Sequence, residues 1–126
     1  MRTMLLAIAA LLLAVGCASS APVTLVWDYA RFNAAGPGFC TAGTDTLKDL
    51  DRIDIWAQVQ GRTDSVLVLS RIAQGKEGKA DSTVIQQAKG TTNYWSYLWD
   101  MLGYRSCRGN VASKTVVLPP APATLR

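Results

Sequence analysis

A strict two-residue alternation of apolar and polar side chains is the feature that most restricts the fold of this chain. It is clearest in residues 53–60, where Ile53, Ile55, Ala57 and Val59 share one face. Successive side chains of a β-strand point to opposite sides, so this segment predicts a strand with one face in a core. Further strand-like segments recur along the chain: Val23–Asp28, Ser65–Ser70, Ser82–Gln86, Tyr94–Trp99 and Ser113–Leu118.

Turn-forming residues separate these segments. Clusters of Gly, Asp, Asn and Pro occupy residues 33–38, 61–64, 75–81 and 90–93, and these residue types favour turns. No segment has the period of a long amphipathic helix, and only Thr46–Asp51 suits a helical turn. Short strands at turn-marked intervals therefore predict an all-β fold, an antiparallel β-sandwich of about seven strands.

The N-terminal segment has the composition of an export signal. Arg2 is its one charge, and an unbroken apolar run extends from Met4 to Val15, which suits a secretory signal and is short for a membrane span. The run leads into LAVGC, which resembles the lipobox of bacterial lipoproteins. We therefore expect lipidation of Cys17. Because Ala18 follows it and not aspartate, the expected location is the outer membrane.

Two other fates of this segment stay open. Ordinary cleavage after Ala21 would give a soluble secreted protein, and the apolar run could instead be retained as an anchor. The lipoprotein interpretation divides the chain into a signal peptide (1–16), a tether (17–22), a β-sandwich domain (23–119) and a flexible tail (120–126).

Cysteine usage agrees with export. With Cys17 in the signal region, Cys40 and Cys107 remain. Two remaining cysteines in an oxidising compartment usually pair, so we expect a Cys40–Cys107 disulfide, with two free thiols as the alternative.

The residue types that most enzymes use are scarce. Histidine is absent, which removes the Ser-His-Asp and Cys-His arrangements and the histidine zinc sites. The acids Asp28, Glu77 and Asp100 have no spacing that would pair two of them for glycoside cleavage. We therefore predict that the protein is not an enzyme, and we assign no catalytic residue, cofactor or metal.

Charged clusters are predicted to be solvated surface. Four aspartates lie close together without the spacing of an EF-hand, interleaved with lysine and arginine, and favour a solvated loop: Asp45, Asp49, Asp51 and Asp54. The tripeptide Arg108-Gly109-Asn110 predicts a turn. Lysine and arginine number 13 against 9 acids but are scattered, so we expect no nucleic-acid partner.

Three segments resemble a fibronectin type III domain. Residues 22–28 look like that family's early strand with its buried tryptophan, and residues 53–59 like its central strand. Residues 90–99 and 111–118 are similar to the last two strands, with Tyr94 at the place of the corner tyrosine. The resemblance implies an immunoglobulin-like sandwich. Little chain precedes Val23, so we expect the family's first strand either to be missing or to be contributed by the Ala18–Pro22 tether.

The aromatic strand carries the candidate binding site. If Tyr94 and Leu98 face the core, Trp95, Tyr97 and Trp99 share the opposite face and form a platform that stacks on sugars or anchors proteins. They could instead face the core, or lie under the long segment that carries Cys40.

Three functions follow from these features. The leading hypothesis is a non-enzymatic binding or adhesion module of the cell envelope, anchored through Cys17, whose partner is an envelope protein or polysaccharide. The first alternative is a carbohydrate-binding module that uses the aromatic strand. The second is a structural subunit that assembles through edge strands, with residues 111–118 or 18–26 pairing between chains.

Overall fold

The structure, a computed structural model, describes residues 20–126. The expected signal peptide and Cys17 lie outside the described residues. The eight strands are β1 (Ser20–Asp28), β2 (Phe32–Ala35), β3 (Thr41–Thr46), β4 (Leu50–Val59), β5 (Val66–Ile72), β6 (Ala80–Ala88), β7 (Gly90–Asp100) and β8 (Ala112–Val116). A 3₁₀ turn, Pro37–Phe39, is the one helical element of these residues. The all-β expectation is confirmed, and each segment predicted as a strand lies wholly or mostly in one.

All strand pairs are antiparallel. β5, β4, β7 and β8 form a four-stranded sheet in that order, and β1 pairs with β6 in a second sheet. β2 and β3 form a separate hairpin. In residues 20–126 no helix is long and apolar enough to cross a membrane.

The core lies between the four-stranded sheet and the β1–β6 sheet. Ile53, Ile55 and Tyr94 of the four-stranded sheet pack with Leu25 of β1 and with Tyr29, which follows β1. Period-two alternation brings this about, because it places every second residue of β4 on the face toward β1 and β6. Ile53 is only 1% exposed, and burying an aliphatic side chain of this size contributes about 1.5–3 kcal/mol.

A buried tyrosine ties the two sheets together inside the core. Tyr94 Oη donates to Gln87 Oε1 at 2.8 Å. The Gln87 amide in turn donates to the carbonyls of Lys114, at 2.7 Å, and Gly90, at 3.1 Å. Burial raises the pKa of Tyr94 to about 12, because the phenolate is disfavoured away from water.

A charged network connects the sheets at another place. Tyr29 Oη donates to Asp81 at 2.7 Å, and Arg71 and Lys76 lie 3.1 and 3.4 Å from the same carboxylate. The Tyr29 hydroxyl and then the Ser82 backbone N–H hold the pKa of Asp81 well below its usual range. Burial, followed by that hydrogen bond, raises the pKa of Tyr29. The carboxylate has a structural role here, because its oxygens already have partners.

The region between β1 and β4 differs from the sequence prediction. The long segment around Cys40 contains the β2–β3 hairpin, and its strands, FNAA and TAGTDT, lack the apolar alternation that would have indicated one. The helical turn expected over Thr46–Asp51 is wrong, because β3 ends at Thr46 and β4 begins at Leu50.

Strand boundaries also extend past the predicted turns. β7 begins at Gly90, so the turn cluster 90–93 lies within a strand. β1 begins at Ser20, so residues 20–22, expected to be tether, are part of it. Pairing with β8 and β6 supplies hydrogen bonds that local turn propensity cannot indicate.

A disulfide fastens the hairpin to the rest of the chain. Cys40 and Cys107 are bonded, with their Cα atoms 5.2 Å apart, as the cysteine count predicts. Cys40 follows the 3₁₀ turn, in which Gly38 has a φ of 72°, a left-handed conformation that favours glycine.

Candidate aromatic and arginine face

The strands β4 and β7 carry aromatic residues on the face away from the core. Residues directly opposite each other in an antiparallel pair share a face, and the register pairs Trp56 with Trp95. The same register continues along both strands. We call this surface the outer face, and its residues are Arg52, Asp54, Trp56, Trp95, Tyr97 and Trp99.

The three aromatic residues predicted as a platform lie together on this face. Tyr94 is 4% exposed in the core and Leu98 packs against it, which leaves Trp95, Tyr97 and Trp99 on the opposite side of β7. Each of the three is partly buried. They are therefore not core residues, and their role in binding stays a prediction.

Arginine side chains lie over these rings. The guanidinium carbon of Arg105 is 4.2 Å from the Tyr97 ring centre, and that of Arg52 is 4.6 Å from the Trp99 ring centre. Arg108 lies 5.4 Å from the Trp95 ring centre. Each such cation–π contact contributes about 0.5–2 kcal/mol, depending on its exposure to water. The outer face is therefore a layer of aromatic rings under a layer of guanidinium groups.

Backbone pairing positions the two arginines that follow β7. The segment 101–111 turns back along β7, with Ser106 N donating to Leu98 O at 2.8 Å and Gly109 N to Ser96 O at 2.9 Å. A Cβ at Gly109 would lie 3.1 Å from Ser96 Oγ, so the close approach favours glycine. The disulfide from Cys107 ties this segment covalently to Cys40, after the 3₁₀ turn.

Asp54 accepts hydrogen bonds from side chains around the outer face. It is 8% exposed, and its carboxylate accepts from Ser70 Oγ at 2.7 Å and from Trp99 Nε1 at 2.9 Å. Arg52 Nε lies 3.6 Å from Asp54 Oδ1. The prediction that Asp54 belongs to a solvated loop is wrong, because β4 carries it into a partly closed sheet face.

The outer face keeps a positive charge. Asp54 is matched by Arg52, whereas the side chains of Arg105 and Arg108 lie over aromatic rings and form no ion pair or hydrogen bond with the residues that the structure describes. Their N–H groups are therefore available to an anionic group from outside.

Sequence reasoning missed part of this site. Trp56 could have been predicted from the sequence, because it lies between Ile55 and Ala57 and therefore faces away from the core. Arg52 and Asp54 follow from the same alternation. Arg105 had no signal in the sequence, since its place depends on how the segment after β7 folds back.

The remaining candidate residues have separate structural positions. Asp100 Oδ1 accepts from the N–H groups of Leu102 and Tyr104 in a turn, and Glu77 Oε1 accepts from Leu50 N at 3.3 Å. Asp28 is exposed at the end of β1. Within residues 20–126, no three His, Cys, Asp or Glu side chains are grouped to hold a metal ion.

Comparisons with protein-family models, with curated proteins and with solved structures gave no significant match.

Proposed function

We propose that the protein is a non-enzymatic binding module of the cell envelope that takes polysaccharide on the outer face. The observation that carries this proposal is the alignment of Trp56, Trp95, Tyr97 and Trp99 on one face of two paired strands. A row of rings on rigid strands, with arginine side chains over three of them, gives a flat amphipathic surface of the kind that binds a sugar chain. Partly exposed tryptophans in such number are unusual on a surface that binds nothing.

The proposal includes the place of the protein in the cell. The sequence before β1 supports lipidation at Cys17 and an outer-membrane location. At that location an envelope protein is the alternative partner to a polysaccharide. Mass spectrometry of the membrane fraction tests this part. A diacylglyceryl-modified Cys17 is expected, and an unmodified soluble chain would contradict it.

We also propose that residues 20–126 form a sandwich of the fibronectin type III kind, beginning with the equivalent of that family's second strand. The order β5-β4-β7-β8 opposite β1-β6 supports this, since that family divides its strands between two sheets in a comparable way. On this proposal β1 corresponds to the family's second strand.

Binding to immobilised polysaccharides tests the proposed function. The full-length protein is expected to be retained on at least one envelope or plant polysaccharide, and Trp95→Ala with Trp99→Ala is expected to abolish retention. The matched control is Val26→Ala with Val84→Ala, because these side chains are 72% and 63% exposed on the other sheet. Retention that survives the tryptophan changes would exclude the outer face.

Assembly through edge strands is the second candidate. Within residues 20–126, β6 is the strand that pairs with β1, and the β1 sequence SAPVTLVWD contains no lysine or arginine, the charges that commonly protect an exposed edge. Sedimentation velocity over a range of concentrations tests it. Pairing of β1 between two copies gives concentration-dependent dimers, which Thr24→Pro should remove. A monomer at every concentration would contradict this candidate.

A further inference from the structure

We infer that the outer face recognises the anionic groups of an acidic polysaccharide, and not neutral sugar rings alone. This inference rests on the proposed function, since it names the class of glycan that the same face binds. It follows from what lies over the rings, from the charge of the face and from how its arginines are held.

The faces of the rings are already in contact with guanidinium groups. Arg105 lies 4.2 Å from the Tyr97 ring centre and 5.9 Å from that of Trp99, while Arg108 lies 5.4 Å from that of Trp95. A neutral sugar would have to displace these groups to stack on the rings, and would lose their cation–π contacts. A ligand that binds the guanidinium groups leaves the contacts in place.

The arginines present unused donors. A guanidinium group has five N–H donors in one plane, which match a carboxylate, sulfate or phosphate in pairs. Arg105 and Arg108 have no carboxylate partner in residues 20–126. The one carboxylate on the outer face, Asp54, already accepts from Ser70 and Trp99. The face therefore has an excess of positive charge that a ligand can neutralise.

The arginines are held in place before a ligand arrives. Contact with the rings restricts the guanidinium groups, and the Cys40–Cys107 disulfide and the bonds of Ser106 and Gly109 to β7 restrict the backbone between them. Preorganised groups lose less conformational entropy on binding. Elsewhere the basic residues are scattered, so a nucleic-acid strand would find no continued row of phosphate contacts beyond this face.

Affinity measurements on the full-length protein test the inference. The probes are polygalacturonate for carboxylates, dextran sulfate for sulfate esters, neutral dextran, and single-stranded oligothymidine. We expect binding to one or both acidic polysaccharides that is at least about tenfold tighter than to neutral dextran. The two acidic probes distinguish which anionic group is preferred.

Arginine variants assign the binding to the outer face. Arg105→Ala with Arg108→Ala is expected to weaken acidic-polysaccharide binding by about tenfold to a hundredfold. The control Lys79→Ala with Lys89→Ala removes the same charge from exposed turns flanking β6, and is expected to change affinity by less than about twofold. Arg105→Lys with Arg108→Lys keeps the charge and should restore only part of the affinity, since lysine lacks the planar donor pair. A cooperative thermal transition well above the assay temperature shows that each variant is folded.

The outcomes separate the inference from the proposed function. Equal affinity for neutral and acidic polysaccharides, unaffected by the arginine changes, would overturn the inference and keep the proposed function. Failure to bind any polysaccharide would overturn both. Tighter binding of oligothymidine than of every glycan would also overturn both, and would indicate a nucleic-acid partner.

Discussion

The strands β4 and β7 bury aromatic and aliphatic side chains on both faces, but the two faces exclude water by different means. Toward β1 and β6, Ile53 and Tyr94 meet other apolar side chains and are 1% and 4% exposed. Away from the core, Trp95 and Trp99 meet the guanidinium groups of Arg108 and Arg52. The first arrangement serves stability, because apolar packing is strongest when closed on all sides.

The second arrangement leaves polar groups pointing outward. Cation–π contacts shield the rings while the N–H edges of the arginines stay accessible, so this face can be stable in water and still bind a ligand. The comparison predicts that changes on the inner face reduce stability most, whereas changes on the outer face reduce binding at a smaller cost in stability.

The largest effect is expected from the inner face. Ile53→Ala should lower the free energy of unfolding by about 2–5 kcal/mol, because it opens a cavity in a closed core. Ile72→Ala removes the same atoms from a side chain that is 70% exposed, and should change stability by less than about 0.5 kcal/mol. Urea unfolding measures both. Similar losses from the two changes would contradict the assignment of faces.

The disulfide should give the next largest effect. Cys40→Ser with Cys107→Ser removes a link between residues 67 apart, and the expected loss is about 2–4 kcal/mol, chiefly through the greater entropy of the unfolded chain. Because Cys107 lies between Arg105 and Arg108, this change should also weaken acidic-polysaccharide binding. Wild-type affinity in a folded double variant would show that the outer face does not depend on this link.

Tyr94 should show a smaller effect that depends on pH. Tyr94→Phe leaves Gln87 Oε1 without its 2.8 Å donor, at a cost of about 1–3 kcal/mol near neutral pH. Burial raises the pKa of Tyr94 to about 12, above the value of about 10 in an unfolded chain. The folded state therefore keeps the proton longer than the unfolded state does.

The sign of the pH dependence follows from this difference. The contribution of Tyr94 is complete below pH 10 and is lost as the pH rises toward the folded-state pKa of about 12. The free energy of unfolding, measured across this alkaline range, should fall less steeply with pH in the Tyr94→Phe variant than in the wild type. Some decline remains, because Tyr29 also has a raised pKa. Identical slopes in the two proteins would contradict the buried position of Tyr94.

The sequence predicts the inner face better than the outer one. Alternation in residues 53–59 identifies the core side of β4 without any knowledge of neighbouring strands, because a strand has only two faces. The same rule separates Tyr94 from Trp95. What it cannot show is the cover over the rings, since Arg105 and Arg108 reach them through backbone bonds to β7 that have no local sequence signal.

The hairpin shows the same limit. β2 and β3 contain residues such as Asn33, Gly43 and Asp45 that favour turns, and all of β2 is exposed. Because β2 contributes no residue to the core, no apolar pattern in the sequence indicates how the two strands pair. Pairing within the hairpin and the disulfide from Cys40 to the distant Cys107 stabilise the segment instead.

The most direct test of the binding face uses the indole N–H signals of the four tryptophans during titration with an acidic polysaccharide. Trp56, Trp95 and Trp99 lie on the outer face, whereas Trp27 packs against the core and serves as an internal control. Nuclear magnetic resonance spectra should show shifts for the three outer-face indoles and a smaller change for Trp27. Binding that shifts Trp27 most, or that leaves the three outer-face signals unchanged, would contradict the assignment of this face as the binding site.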